Sequence, residues 1–228
     1  MPFGTIALEK PTILNCPGIH SNARAQSRTR SGHSMTTLSI VGISGSLSNP
    51  SRTTVLVDTI LKAVANRGGH KTNLLKVSDS APALFAATSP ADVGKDARQF
   101  LDLIEGADLL VVGTPVYRAS YTGALKHVFD LVDHRRFGSK PVALAATGGS
   151  PLHGLVIEHQ LRPLFGFLNA LTLPTSVYAV EGDFSNYAIS SAAIHERIER
   201  VVAEALTQLT RSRAERLNAR SAATAAVA

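Results

Sequence analysis

Short apolar runs alternate along this chain with stretches in which apolar residues recur every three or four positions. The runs "LSIVGI" (38–43), "KTNLLKV" (71–77), "DLLVVGT" (108–114), "KPVALAAT" (140–147) and "LTLPTSVYAV" (171–180) are predicted strands. Several are apolar at consecutive positions, as strands buried on both faces require. Between them Val55, Leu56, Thr59, Ile60 and Ala63 share one helical face. The same spacing joins Val93, Ala97, Phe100, Leu101 and Ile104, and then Leu125, Val128, Phe129 and Val132. A fourth helix is predicted over 152–169 with Pro163 interrupting it, and a fifth over roughly 190–217.

Strand and helix in strict alternation imply parallel strands joined by right-handed crossovers. The expected fold class is therefore α/β, a flavodoxin-like doubly wound five-stranded parallel sheet in the order 2-1-3-4-5. Ligands of such sheets lie outside the carboxyl ends of the strands, near the switch point between the first and third. The loops after residues 43, 114 and 147 are the places to look.

Composition narrows the partners. A chain of 228 residues with 44% hydrophobic and 18% charged residues suits one globular domain, expected over 35–217. Residues 1–34 include the Arg- and Ser-rich "NARAQSRTRSGHS", which lacks hydrophobic periodicity. They are expected to be a disordered extension, with Met35 as an alternative start; the composition also resembles a transit peptide, without its amphipathic face. Residues 218–228 are expected to form a flexible tail. No apolar run approaches the ~20 residues of a membrane helix. The single Cys16 excludes an intramolecular disulfide, and the histidines show no metal-ligand spacing. A cytoplasmic protein with no metal and no membrane partner is expected. The net charge of +6 is spread along the chain and falls in no nucleic-acid module, so an anionic small molecule suits it better than nucleic acid.

The three loops carry the candidate chemistry. In "SGSLSNPSRTT" (44–54) neither a P-loop lysine nor a dinucleotide fingerprint is present. Ser44, Ser46, Ser51 and Thr53 nevertheless offer hydroxyls, and Arg52 a charge-assisted fork, where a helix N-terminus favours a phosphate. The plainer alternative is that Ser51 is an N-cap and Arg52 a solvated surface residue. In "TPVYRASYTG" (114–123), Pro115, Val116 and Tyr117 offer apolar and aromatic surface for a flat ring, or packing for a subunit interface. In "ATGGSPLHG" (146–154), Thr147, Gly148, Gly149 and Ser150 could bring backbone donors close beneath a ligand; a tight turn at positive φ would explain one glycine by itself. Lys126 and Asp130, four residues apart, read as a helix-surface pair.

Together, "SGSLSNPSRTTVL", "TPVYRASYTGALK" and "ATGGSPLHGL" resemble the NAD(P)H-dependent FMN reductase family. The similarity runs in order from residue 38 to about 184. It is nearest to the reductases that serve alkanesulfonate and methanesulfonate monooxygenases. His159 stands where the methanesulfonate-type enzymes have His and the alkanesulfonate-type an inserted Tyr; a histidine of a helix surface or interface is the alternative. The resemblance implies that Ser46, Ser51, Arg52 and Thr53 meet the FMN phosphate. It places Pro115, Val116 and Tyr117 along the ribityl chain and ring, and Thr147, Gly148 and Gly149 at the isoalloxazine. It also implies that NADPH or NADH reduces FMN, that FMNH2 passes to a partner flavin-dependent monooxygenase, and that the protein is a homotetramer or homodimer. No side chain is expected to act as a general acid or nucleophile. The alternatives are an FMN-retaining quinone, azo or chromate reductase, and a flavodoxin-type electron carrier.

Overall fold

The parallel sheet is built from strands whose side chains alternate between two hydrophobic cores. In a computed structural model that describes residues 38–225, β1 (Ser39–Ser44), β2 (Lys71–Lys76), β3 (Leu109–Pro115) and β4 (Pro141–Gly148) lie in the order β2-β1-β3-β4. Val41, Ile43, Leu110, Val112, Val142 and Leu144 face one core, and Ile40, Leu109, Val111, Ala143 and Ala145 face the other. This two-sided burial is why β3 and β4 read as continuous apolar runs. The expected extension at residues 1–34 lies outside the described residues.

Helix α1 (Arg52–Gly68) covers one face, with Leu56, Val57, Ile60, Leu61 and Val64 buried. Ser51 is its N-cap, accepting a 3.2 Å bond from the Thr54 amide, and Gly69 ends it in the left-handed conformation at φ 63°. The same face takes α6 (Ala192–Ala225) through Ile198, Val201, Val202 and Ala205. This helix passes the boundary expected at 217, since the Ala-rich end has high helix propensity. On the other face lie α2 (Val77–Phe85), α3 (Lys95–Glu105), α4 (Gly123–Leu131) and α5 (Arg162–Phe167). Sequence patterning missed α2. Its "VSDSAPALF" is mostly small and polar with Pro82 inside, and only Val77 and Leu84 are buried.

The segment 171–180 departs from a single strand. It forms β5 (Leu171–Thr172), paired with Pro141 and Val142, and β6 (Val177–Val180), paired with Ala145–Gly148. Residues 173–176 span a gap that β4 crosses with Ala143 and Leu144, so the edge bulges around Pro174, which has no amide to donate. Side chains from neighbouring elements meet several of the bulge's backbone groups. Arg162 donates to the Leu173 and Pro174 carbonyls at 2.9 and 3.4 Å, Arg197 donates to the Ser176 carbonyl, and Glu204 accepts from the Thr175 amide at 2.9 Å.

Glu158 anchors this arrangement, holding Arg162 by two bonds and accepting from the Ser176 hydroxyl at 3.1 Å. It lies in a π-helical turn, Ile157–Leu161, that leads into α5 just before Pro163. Pro163 cannot donate, and the Arg162 amide reaches back five residues to the Ile157 carbonyl. The Arg162 guanidinium, with help from Ser176, holds the Glu158 carboxyl below its ordinary value of 4.5. A depressed carboxylate contributes stability above the unfolded pKa and loses it as pH falls through the folded value. The stability difference between wild type and Glu158→Gln is therefore expected to be present at neutral pH and to be lost progressively as pH falls below the ordinary glutamate value. Denaturant titrations of both proteins across that range check this, and a pH-independent difference would contradict it.

Candidate functional site

Three loops leave the carboxyl ends of β1, β3 and β4 and meet in one cleft of about 350 Å³. The first loop supplies Ser46, Ser48, Pro50 and Ser51 to its wall, and the start of α1 adds Arg52 and Thr53. The second contributes Pro115, Val116 and Tyr117, the third Thr147, Gly148 and Gly149. Ten of the twelve residues expected from the sequence thus converge, although they span more than 100 positions of the chain. Ser44 and Ser150 stand outside the lining. The Ser44 hydroxyl is fully buried and bonded to Thr54 Oγ1 at 2.8 Å, so it fastens the loop to α1 from below. The Ser150 hydroxyl accepts from the Leu152 amide at 3.3 Å and caps a short 3-10 turn.

Buried polar bonds hold the loops to one another. Thr53 Oγ1 lies 2.6 Å from Thr147 Oγ1, linking α1 to the end of β4, and both residues are buried. The Thr122 hydroxyl donates to the Gly45 carbonyl at 2.8 Å and accepts from the Leu125 amide at 3.1 Å, so it caps α4 and ties the second loop to the first. The Val116 amide donates to the Thr147 carbonyl at 2.8 Å. Close approach of α1 to the sheet sets the cleft floor: a Cβ at Gly113 would lie 2.3 Å from a Val57 methyl. Such bonds fix the walls before any ligand arrives.

Gly148 has a structural reason of its own. A Cβ there would sit 2.1 Å from the Tyr178 hydroxyl, which donates a 2.6 Å bond to the Ser150 carbonyl. Burial pushes the Tyr178 phenol above its ordinary value, so it remains a donor at neutral pH. Gly148 and Gly149 both lack a positive φ, which sets the turn explanation aside, and a Cβ at Gly149 would meet nothing within 4 Å.

Two turns without glycine flank the cleft. Tyr117 and Ser120 exchange amide–carbonyl bonds of 3.0 and 3.1 Å around Arg118 and Ala119, at φ 50° and 63°. The turn leaves Tyr117 54% exposed. A second pair, Asn186 and Tyr187 at φ 47° and 57°, joins the two-residue strands β7 (Phe184–Ser185) and β8 (Ala188–Ile189). Both turns have the positive-φ geometry that favours Asn and Gly; Asn186 suits it, whereas Arg118, Ala119 and Tyr187 hold it at a cost of about 1–3 kcal/mol each.

Three lining residues fall outside the expected loops: Val180, Glu181 and Tyr187. The rule that ligands sit beyond strand ends reaches Val180 and Glu181 when it is extended to the last strand. Tyr187 had no such signal. Glu181 is paired with Arg52, and the Tyr187 ring centre lies 5.8 Å from the Arg52 guanidinium. Arg52 is thus engaged on the cleft wall instead of being simply solvated, while Ser51 does act as the N-cap. Lys126 pairs with Asp130 on α4, and His159 is exposed in the π turn. Among the described residues, no cluster of His, Cys, Asp or Glu could hold a metal ion. No described helix is long and apolar enough to cross a membrane.

The donor set fits a phosphorylated flavin. Hydroxyls and a guanidinium gather at the amino end of a 17-residue helix, where peptide dipoles favour an anion. The opposite walls give Tyr117 and the glycine loop to a planar ring. Known proteins point the same way. The chain is 47% identical over 169 residues to the NADH-dependent FMN reductase SfnE of Pseudomonas putida, covering 74% of this chain and 90% of that protein. It is 44% identical over 178 residues to an FMN reductase (NADPH) of Pseudomonas aeruginosa, covering 78% and 95%. The crystal structure of the apo NADH:FMN oxidoreductase EMOB superposes with a TM-score of 0.66 at 30% identity, covering 73% of this chain and 87% of that one. The model of the NADPH-dependent FMN reductase family matches residues 38–185, and this chain belongs to that family.

Proposed function

We propose that the protein is an NAD(P)H:FMN oxidoreductase whose flavin occupies the cleft between the three loops. The observation that carries this reading is the convergence of Ser46, Ser51, Arg52 and Thr53 at the amino end of α1 with Tyr117 and Gly149 across the same cleft. Ser46, Ser51 and Thr53 donate hydroxyl bonds to the phosphate and Arg52 adds a charge-assisted one. Pro115, Val116 and Tyr117 shield the ribityl chain and one side of the ring. Thr147, Gly148 and Gly149 bring backbone beneath the ring, and Ser44 and Ser150 hold the two loops in shape. FMN supplies the hydride-accepting ring and the reduced nicotinamide the hydride, so the protein's task is orientation and exclusion of water.

Reduced flavin is handed to a flavin-dependent monooxygenase of organosulfur metabolism, the role that the resemblance of the three loop motifs implies. Self-association into a homotetramer or homodimer is supported by Leu152, Leu155 and Phe167, exposed by 89%, 64% and 79%.

The test is oxidation of NADH and of NADPH by the purified protein, with and without FMN, FAD, riboflavin and a quinone. Oxidation that requires and saturates with added FMN is the expected result, and it names the preferred nucleotide. Rapid quinone reduction by a protein purified yellow, with no dependence on added flavin, would replace it with a retained-flavin quinone reductase.

A further inference from the structure

Arg52 already has an anionic partner within the protein. Glu181 pairs with it from 129 residues away, and Tyr187 lies against the guanidinium. Glu181 sits on a turn with little freedom to withdraw as a unit. In that turn Asp183 accepts a 2.8 Å bond from the Val180 amide, and its carbonyl accepts from the Ser190 and Ser191 amides at 2.9 and 3.3 Å. These bonds join the end of β6 to the start of α6.

A carboxylate on the wall of a phosphate site opposes the strongest possible binding. A phosphate monoester carries about −1.5 to −2 charge at neutral pH, and a carboxylate beside it competes for the same cation. Resting on the assignment of Arg52 to the flavin phosphate, we propose that Glu181 is an internal counter-anion that sets flavin affinity. It holds Arg52 in the free protein and must yield it when the phosphate enters. The phosphorylated flavin is then held more weakly than the loop's donors alone would hold it. When the flavin leaves, the Arg52–Glu181 pair re-forms and compensates part of the lost phosphate contact. Such weakening suits an enzyme that hands its flavin on, because affinity among related complexes is adjusted mainly through dissociation.

Glu181→Gln keeps the shape and removes the charge. FMN and riboflavin are titrated into wild type, Glu181→Gln, Arg52→Ala and the double variant, with quenching of flavin fluorescence as the readout. No turnover is needed. The Glu181 variant is expected to bind FMN about fivefold more tightly, the size of a screened, exposed ion pair, with riboflavin unchanged. In the Arg52→Ala background that gain should disappear. Unchanged or weaker FMN binding by Glu181→Gln would overturn the proposal, as would an equal gain for riboflavin or an equal gain without Arg52. If Arg52→Ala weakens FMN but Glu181→Gln leaves it unaltered, this inference fails and the phosphate assignment stands. If Arg52→Ala leaves FMN binding unaltered relative to riboflavin, the phosphate assignment fails and takes the inference with it.

Discussion

Arg52→Ala is expected to weaken FMN binding by about 1.5–3 kcal/mol, roughly 10- to 150-fold, while leaving riboflavin binding nearly constant. A guanidinium–phosphate bond is charge-assisted and about twice as strong as a neutral one. The pair with Glu181 moves the expected value toward the lower end, because binding exchanges one anion for another. The variant should fold normally. Side chains of Arg52 and Glu181 are 40% and 72% exposed, and pairs of that kind contribute no more than about 1 kcal/mol. Comparing FMN with riboflavin isolates the phosphate from the ring. Equal losses for both flavins would mean that Arg52 shapes the cleft without touching the phosphate.

Gly148→Val is expected to remove FMN turnover and to lower stability as well, because its first collision is with the protein itself. The added Cβ falls 2.1 Å from the Tyr178 hydroxyl and 3.1 Å from its ring carbon Cζ. The phenol must move, and its bond to the Ser150 carbonyl breaks. Overpacking of this kind costs about 1–3 kcal/mol, and the lost hydrogen bond adds about 1 kcal/mol. Thermal unfolding and FMN titration together separate the two effects. Gly149→Val is the contrast: its Cβ meets nothing within 4 Å, so its stability should be near wild type while FMN binding falls if the ring lies there. Tyr178→Phe removes the oxygen at 2.1 Å, and Gly148→Ala should therefore be better tolerated on that background. A Gly148→Val protein with unchanged melting temperature would show that the Tyr178 contact is not a constraint.

The legibility of this chain follows from where its information is local. Strands β1, β3 and β4 were apparent because burial on both faces leaves an uninterrupted apolar run. Pro163 marked a disturbance whose form was not readable, whereas Pro174 was read inside a single strand over 171–180. One leads to a π turn and the other to a bulge whose carbonyls depend on Arg162 and Arg197. Helix α2 left no usable signal, since two buried residues do not make a periodic face. The Gly148–Gly149 pair drew attention to a loop that lines the cleft, yet the space at Gly148 is taken by a tyrosine 30 residues later.

By itself, the sequence determined the alternation of strand and helix, and hence the parallel sheet and the strand ends where a ligand belongs. It also placed a dense group of hydroxyls and one arginine at the start of the first helix. Tertiary structure alone decided which groups face that arginine. Glu181 and Tyr187 reach it only because β6 lies beside β4 and the following hairpin returns toward α1. Hydrophobic periodicity is written in neighbouring residues, whereas an electrostatic pairing depends on distance in space, which sequence separation does not encode.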